Sequence, residues 1–109
     1  MATAYKVLGN LNPSATTATT LYTVPAATST IVSTINVCNQ STSTASFRIA
    51  IRPAGATLAT SHYIAYGTSI PANDSIALTM GITLAATDVI TVYASSATLS
   101  FLAFGTEIT

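Results

Sequence analysis

Short runs of alternating apolar and polar residues, separated by turn-forming residues, are the feature that most constrains the fold of this chain. In the clearest run, 45–53, Phe47, Ile49 and Ile51 occupy every second position. A period of two places these side chains on one face of a strand and their neighbours on the other. The run 30–38 is apolar on both sides, which favours a central strand.

Eight such runs are predicted to be strands: 4–8, 19–24, 30–38, 45–53, 61–66, 75–80, 88–94 and 98–104. The four prolines fall between these runs or at their ends, where a missing amide donor does little harm to a ladder. Residues 95–97 are expected to close a tight hairpin between the last two strands. The pattern predicts one all-β domain over 1–109, a single antiparallel β-sandwich of about eight short strands. Jelly-roll and immunoglobulin-like topologies both fit it.

Charge excludes several classes of function. Only 6% of the residues are charged, and three basic side chains balance three acidic ones, whereas about a quarter is usual. Three cations cannot neutralise enough phosphates to bind nucleic acid. High hydrophobicity argues against disorder, and no apolar stretch approaches the roughly 20 residues that span a membrane. The first residues also lack the continuous apolar core of a signal peptide. A neutral exterior promotes association, so we expect a homo-oligomer or a subunit covered by partners.

Side chains that could support catalysis or bind a metal are few. His62 is the one imidazole, and Asp74 and Asp88 are its possible orienting partners. However, Asp74 stands just before one predicted strand and Asp88 at the start of another, where turn formation is the commoner role. Cys38 and His62 lack the spacing of a zinc site. We therefore expect no enzyme, no metal and no cofactor, and we expect Cys38 to be a small buried hydrophobic residue.

Arg48 and Arg52 are candidate contact residues. Four positions apart on one strand, they should project from one face about 13 Å apart, opposite the core face. They could bind carboxylates or carbonyls of a partner. Alternatively, they could guard an exposed strand against edge-to-edge pairing.

Tyrosines form a second candidate set. Tyr63 and Tyr66 are expected on opposite faces of one strand, so at least one should point outward. An exposed tyrosine could stack on a sugar ring, fill a protein interface or pack at the rim of the core. Tyr5, Phe104 and Ile108, in the terminal segments, complete the predicted interface residues.

Four segments carry a resemblance to a known class of protein. They are LYTVPAAT at 21–28, IVSTINVCN at 31–39, LAATDVITVY at 84–93 and FGTEI at 104–108. With these segments the chain resembles small virion structural proteins of tailed bacteriophages, including cyanophages. The resemblance implies a subunit present in many copies that self-associates and binds the major capsid protein or other virion proteins. It brings no catalytic residues.

The sequence therefore predicts a virion structural protein, with a capsid decoration or cement protein as the first hypothesis. Arg48 and Arg52 would be anchors, and the segments 1–8 and 104–109 would be clamps. A tail, neck or baseplate component is the alternative within this class, and a carbohydrate-binding attachment module is the alternative outside it.

Overall fold

The computed structural model describes residues 2–79 and 81–109. The described residues form nine strands: β1 (Thr3–Leu11), β2 (Thr19–Thr23), β3 (Ser29–Asn39), β4 (Ala45–Arg52), β5 (Tyr63–Ile70), β6 (Ser75–Leu78), β7 (Ile82–Leu84), β8 (Val89–Ala94) and β9 (Leu99–Ile108). Two short 3-10 turns, Pro53–Gly55 and Thr60–His62, lie between β4 and β5.

The strands pair as one long antiparallel ribbon that is wrapped into two sheets. The first strand pairs with the last, β2 pairs with β8, β3 pairs with β6 and β7, and β4 pairs with β5. Further pairing gives sheet I the order β1-β9-β3-β6, with β7 also on β3, and gives sheet II the order β2-β8-β4-β5. This nested order is that of a jelly roll. The predicted all-β sandwich is confirmed, and the jelly-roll alternative describes its topology.

The core lies between the two sheets. Phe47 of sheet II and Phe101 of sheet I meet edge to face, with ring centroids 6.1 Å apart. Both are fully buried, as is Ile49, while Ile51 is partly buried against the same cluster. The alternation that predicted β4 therefore identifies its inner face correctly.

One predicted hairpin is wrong. Residues 95–98 connect β8 in sheet II with β9 in sheet I, so the two strands face each other across the core instead of pairing. Turn-forming residues mark a reversal of the chain, but they do not specify whether the next strand stays in the same sheet.

Strand lengths also differ from the prediction. β7 (Ile82–Leu84) was not predicted, and β9 continues past Phe104 to Ile108. Gly105 resembles a strand end in the sequence. In the structure its missing side chain lets β3 approach, because a Cβ atom there would lie 2.1 Å from the carbonyl oxygen of Ile31.

Asn39 closes one end of the sandwich, and it is 1% exposed. Its Nδ2 donates to the carbonyls of Ser43 (2.8 Å), Ile70 (3.2 Å) and Pro71 (3.2 Å). Its Oδ1 accepts from the backbone N–H of Ser41 at 3.0 Å and from the Ser41 hydroxyl at 2.9 Å. We call these contacts the Asn39 network. Through it one amide holds the loop after β3 to the loop after β5.

Candidate interaction surfaces

Arg48 is held between two tyrosine rings on the outer face of sheet II. Its guanidinium carbon lies 4.2 Å from the ring centroid of Tyr66 and 4.3 Å from that of Tyr93. Arg48 pairs with Tyr66 on β5 and with Tyr93 on β8, so the register brings all three side chains to one face. Stacking on the ring faces stabilises the cation without an acidic partner.

Tyr93 was not among the interface residues predicted from the sequence. It alternates with the buried Val92 in the run 88–94, so the period of two already pointed it away from the core. The sequence did not reveal that β8 lies beside β4, and that neighbour is what places Tyr93 next to Arg48.

Tyr63 and Tyr66 share one face, contrary to the prediction. Their ring centroids are 4.8 Å apart with an interplanar angle of 84°. The cause is a bulge at Ile64: Ile49 pairs with Ala65, whereas the next residue of β4 pairs with Tyr63. One extra residue shifts the alternation by one and turns Tyr63 to the outer face.

A shallow depression of about 380 Å³ lies beside this cluster, lined by Thr60, Tyr63 and Tyr66. Tyr66 is 62% exposed, although Arg48 stacks over its ring. We call Arg48, Tyr63, Tyr66 and Tyr93 the tyrosine cluster. An exposed ring next to a depression is suited to stacking on another planar or ring-shaped group.

Arg52 is engaged within the chain. Its Nε donates to the Thr91 hydroxyl at 3.0 Å, and its Nη1 donates to the carbonyls of Gly55 (3.3 Å) and Ala56 (3.0 Å). Arg48 and Arg52 lie on the same outer face, as predicted. The alternative that they guard an exposed edge is wrong, because β4 lies between β8 and β5.

The two terminal strands form an extended part of sheet I. The N–H of Ala2 donates to the carbonyl of Thr109 (3.0 Å), and the N–H of Thr109 donates to the carbonyl of Ala2 (2.8 Å). Next to this pair, Thr3 pairs with Ile108 and Tyr5 pairs with Thr106. We call residues 2–7 together with residues 104–109 the terminal ladder. Met1, in the predicted clamp, lies outside the described residues.

The outer face of the terminal ladder is uncharged and partly apolar. Tyr5 is 82% exposed and Val7 is 50% exposed. Val7 pairs with Phe104, and both Phe104 and Ile108 are of intermediate exposure. Three predicted interface residues, Tyr5, Phe104 and Ile108, are thus brought together on one sheet face.

The inner face of the terminal ladder holds a polar network around Glu107. Its Oε1 lies 2.7 Å from Nζ of Lys6, and its Oε2 accepts a hydrogen bond from the hydroxyl of Tyr22 at 2.5 Å. The Tyr22 hydroxyl also lies 2.9 Å from the hydroxyl of Thr30. These four side chains, the Glu107 network, connect β9 to its two neighbours and to sheet II.

Burial and charge set the proton affinities in this network. Hydrogen bonds from Lys6 and then from Tyr22 hold the pKa of Glu107 below its usual range. Burial, followed by the hydrogen bond to Glu107, raises the pKa of Tyr22 to about 12. Both shifts favour a charged carboxylate beside a neutral phenol.

The remaining acidic residues hold turns, the role that the sequence favoured. Asp88 accepts from the backbone N–H groups of Ala54 (2.8 Å) and Ala85 (2.9 Å). Asp74 accepts from the N–H of Ser75 at 2.8 Å. Together with the contacts of the three basic residues, every charged side chain of the sequence has a partner within the chain.

Residues considered for catalysis or metal binding lie apart. Nδ1 of His62 accepts a hydrogen bond from the Ala59 N–H at 3.2 Å and so helps to form the turn before β5. Cys38 is partly exposed instead of buried, and with Asn39, Gln40 and residues 73–75 it lines a depression of about 410 Å³. Cys38 pairs with Ser75 on the outer face of sheet I, the face that its position in β3 dictates. Residues 2–79 and 81–109 hold no cluster of three or more potential metal-ligating side chains.

Comparison with protein-family models, with curated proteins and with solved structures gives no match for this chain. None of the helical turns among the described residues has the length and hydropathy that a membrane-crossing helix requires.

Proposed function

We propose that this protein is a structural subunit of a phage virion, a capsid decoration or cement protein that self-associates and binds the major capsid protein. The observation that carries the proposal is the use of charge: each charged side chain has a partner within the chain, and none of them lies on the outer face of sheet I. An uncharged face can be covered by neighbours at little desolvation cost.

The terminal ladder supports the same role. Tyr5 and Val7 expose apolar surface beside the partly exposed Phe104. Contacts made by neutral surface are insensitive to salt, unlike contacts between exposed ions. A cement protein needs contacts of this kind because it has to stay attached under varying ionic conditions.

The proposal is tested by counting copies in purified particles. Particles from the source of this sequence are purified on a density gradient, and the chain is quantified by mass spectrometry against the major capsid protein. We expect a simple whole-number ratio between the copies of this chain and the copies of the major capsid protein. We also expect the isolated chain to rebind to particles from which it was removed. Absence from the particles would contradict the proposal. A few copies at one vertex of the particle would instead favour a tail, neck or baseplate component over a capsid decoration protein.

The tyrosine cluster favours a second candidate, a carbohydrate-binding module for attachment. The exposed ring of Tyr66 beside a depression could stack on a sugar ring. The test is a glycan array followed by titration of any ligand found. Tyr66→Ala should then weaken binding at least tenfold, whereas Tyr5→Ala, which removes an exposed tyrosine elsewhere, should not. An array without signal would remove this candidate.

A further inference from the structure

The four edges of the two sheets are not equally protected against pairing with another chain. β5 carries bulges at Ile64 and at Gly67, which has a φ of 71°. β2 has five residues with a bulge at Leu21, and β6 and β7 have four and three residues. Bulges and short strands are two of the devices that block edge-to-edge association, and a lysine on the edge, such as Lys6 of β1, is a third.

β1 lacks the first two of these devices in its first half. It is nine residues long, and its one irregularity, at Leu8, comes after the regular segment 3–7. Gly9 and the residues after it approach β2, since a Cβ at Gly9 would lie 2.4 Å from the carbonyl oxygen of Leu21. The segment 3–7 thus extends as a regular strand edge before β1 reaches the second sheet.

The alternating direction of the backbone hydrogen bonds along β1 shows which N–H and C=O groups face the free edge of sheet I. Ala2 exchanges both of its hydrogen bonds with Thr109, so its N–H and C=O point toward β9. Along an antiparallel pair this orientation alternates, so Ala4 and Lys6 also point toward β9. The N–H and C=O groups of Thr3, Tyr5 and Val7 point outward, away from the sheet.

From this geometry we infer that residues 3–7 of β1 pair antiparallel with the same segment of a second copy, with a two-fold axis at Tyr5. Thr3 then lies opposite Val7 of the second copy, and Tyr5 lies opposite Tyr5 of the second copy. These are the outward-facing residues, so each pair exchanges two hydrogen bonds. The two copies of sheet I become one continuous sheet.

The charges of the segment suit a second copy of the same chain. Lys6 lies opposite Ala4 of the second copy, so the register places no two lysines directly opposite. Each Lys6 also keeps its own Glu107 partner at 2.7 Å. The Tyr5 pair and the Thr3–Val7 pairs add cross-strand contacts on the outer face.

Such a pair is weak in isolation. Two five-residue strands bury far less than the roughly 1,600 Å² of a standard interface, so we expect a Kd on the order of 100 μM. Copies held side by side on a common lattice meet at a much higher effective concentration, which strengthens the same contact. The inference deepens the proposed function, because self-association is part of that role, but it is tested on the isolated chain.

The test uses one substitution at two neighbouring positions. Tyr5→Pro removes an outward N–H and should raise the dimer Kd at least tenfold in sedimentation velocity between about 10 μM and 1 mM, with an unchanged melting temperature. Ala4→Pro removes an inward N–H from the pairing with β9 and should lower the melting temperature. Ile31→Thr, which alters the exposed face of the same sheet away from the edge, should leave the Kd within twofold.

Hydrogen exchange gives an independent readout of the same pairing. The amides of Thr3, Tyr5 and Val7 should gain protection as the concentration rises, while those of Ala4 and Lys6 should be protected at every concentration. A wild-type monomer at 1 mM would overturn the inference, as would an equal loss of dimer in Ile31→Thr. A dimer in a chain that is absent from particles would remove the proposed function and leave the inference standing.

Discussion

The two ends of the sandwich solve the same problem, burial of polar groups, with different chemistry. At one end the neutral Asn39 amide, 1% exposed, satisfies the carbonyls of two loops. At the other end the Glu107 network uses a charged carboxylate, a phenol and a lysine that is 49% exposed. The Asn39 end is closed by loops, whereas the other end continues into the terminal ladder. We therefore expect the Asn39 end to contribute more to the stability of the fold, and under the proposed function the terminal ladder is the end that partners would contact.

The largest loss of stability is expected at the Asn39 end, the end of the sandwich that loops close. Asn39→Ala would leave the carbonyls of Ser43, Ile70 and Pro71 without their donor in a buried site. An unsatisfied buried group costs about 1–3 kcal/mol, so we expect a loss of about 3 kcal/mol or more in the free energy of unfolding. Urea denaturation measures it. Gln40→Ala, at the exposed neighbour, is the control and should change the stability by less than about 0.5 kcal/mol. Similar losses in both variants would mean that the Asn39 network does not close this end.

We call the end of the sandwich that carries the terminal ladder the open end. Its stability is expected to be most sensitive to substitution at Gly105, where β9 approaches β3 closely. Gly105→Ala would place a methyl group 2.1 Å from the carbonyl oxygen of Ile31, so the strands must separate. We expect a loss of about 2 kcal/mol, as for overpacked sites, together with faster hydrogen exchange of residues 104–108. Thr106→Ala, one residue along on the opposite face, is the matched control. If exchange accelerated equally at both ends of the molecule, the terminal ladder would not be a separable unit.

The periodicity of the sequence predicted which face of a single strand lies in the core, but it did not predict which strands pair with each other. The alternation in β4 identified Phe47 and Ile49 as core residues and placed both arginines outside. The alternation could not show that β4 lies between two other strands. Because β4 is internal, Arg48 and Arg52 do not protect an exposed strand edge. Local pattern is set by the pleat, whereas strand order depends on contacts between residues far apart in the sequence.

Bulges explain the other differences at the candidate surfaces. The prediction for Tyr63 and Tyr66 assumed a regular strand, and a single extra residue at Ile64 reversed the face of Tyr63. The Glu107 network was not predicted either, because Tyr22 and Glu107 are 85 positions apart. Such features follow from pairing register, for which a short turn-rich sequence gives little signal.

A smaller loss of stability is expected when the hydroxyl of Tyr22, which connects the open end to sheet II, is removed. Tyr22→Phe keeps the ring but removes the hydroxyl that contacts Thr30 and Glu107. We expect a loss of about 1–2 kcal/mol in the free energy of unfolding, since the fully buried Thr30 hydroxyl would lose this partner. Tyr5→Phe removes the hydroxyl of an exposed tyrosine and should have no measurable effect. Equal stabilities of the two variants would show that the Tyr22 contacts contribute nothing at this end.

The smallest effect, the pH dependence, distinguishes the two ends by charge. The pKa of Glu107 is lowered in the folded protein, so its contribution is present above the ordinary glutamate value of 4.5 and is lost as the pH falls through the folded value. Because Lys6 is half exposed, the ion pair itself contributes below about 1 kcal/mol. The pKa of Tyr22 is raised to about 12, so its contribution is lost as the pH rises from about 10 toward 12. The Asn39 network has no titrating group and should add no slope.

The measurement is a comparison of unfolding curves of wild type and Glu107→Gln at pH 7, 5, 4 and 3. The difference in stability should be constant from pH 7 to 5 and should shrink below about pH 4.5, because the wild-type carboxylate becomes protonated and then resembles the neutral amide. The Asn39→Ala deficit, measured over the same range, should stay constant. A difference for Glu107→Gln that does not change with pH would mean that the carboxylate is not held in its charged form by Lys6 and Tyr22. A deficit for Asn39→Ala that changes in parallel with it would mean that the two ends are not energetically distinct, since two uncoupled networks have no reason to share one titration.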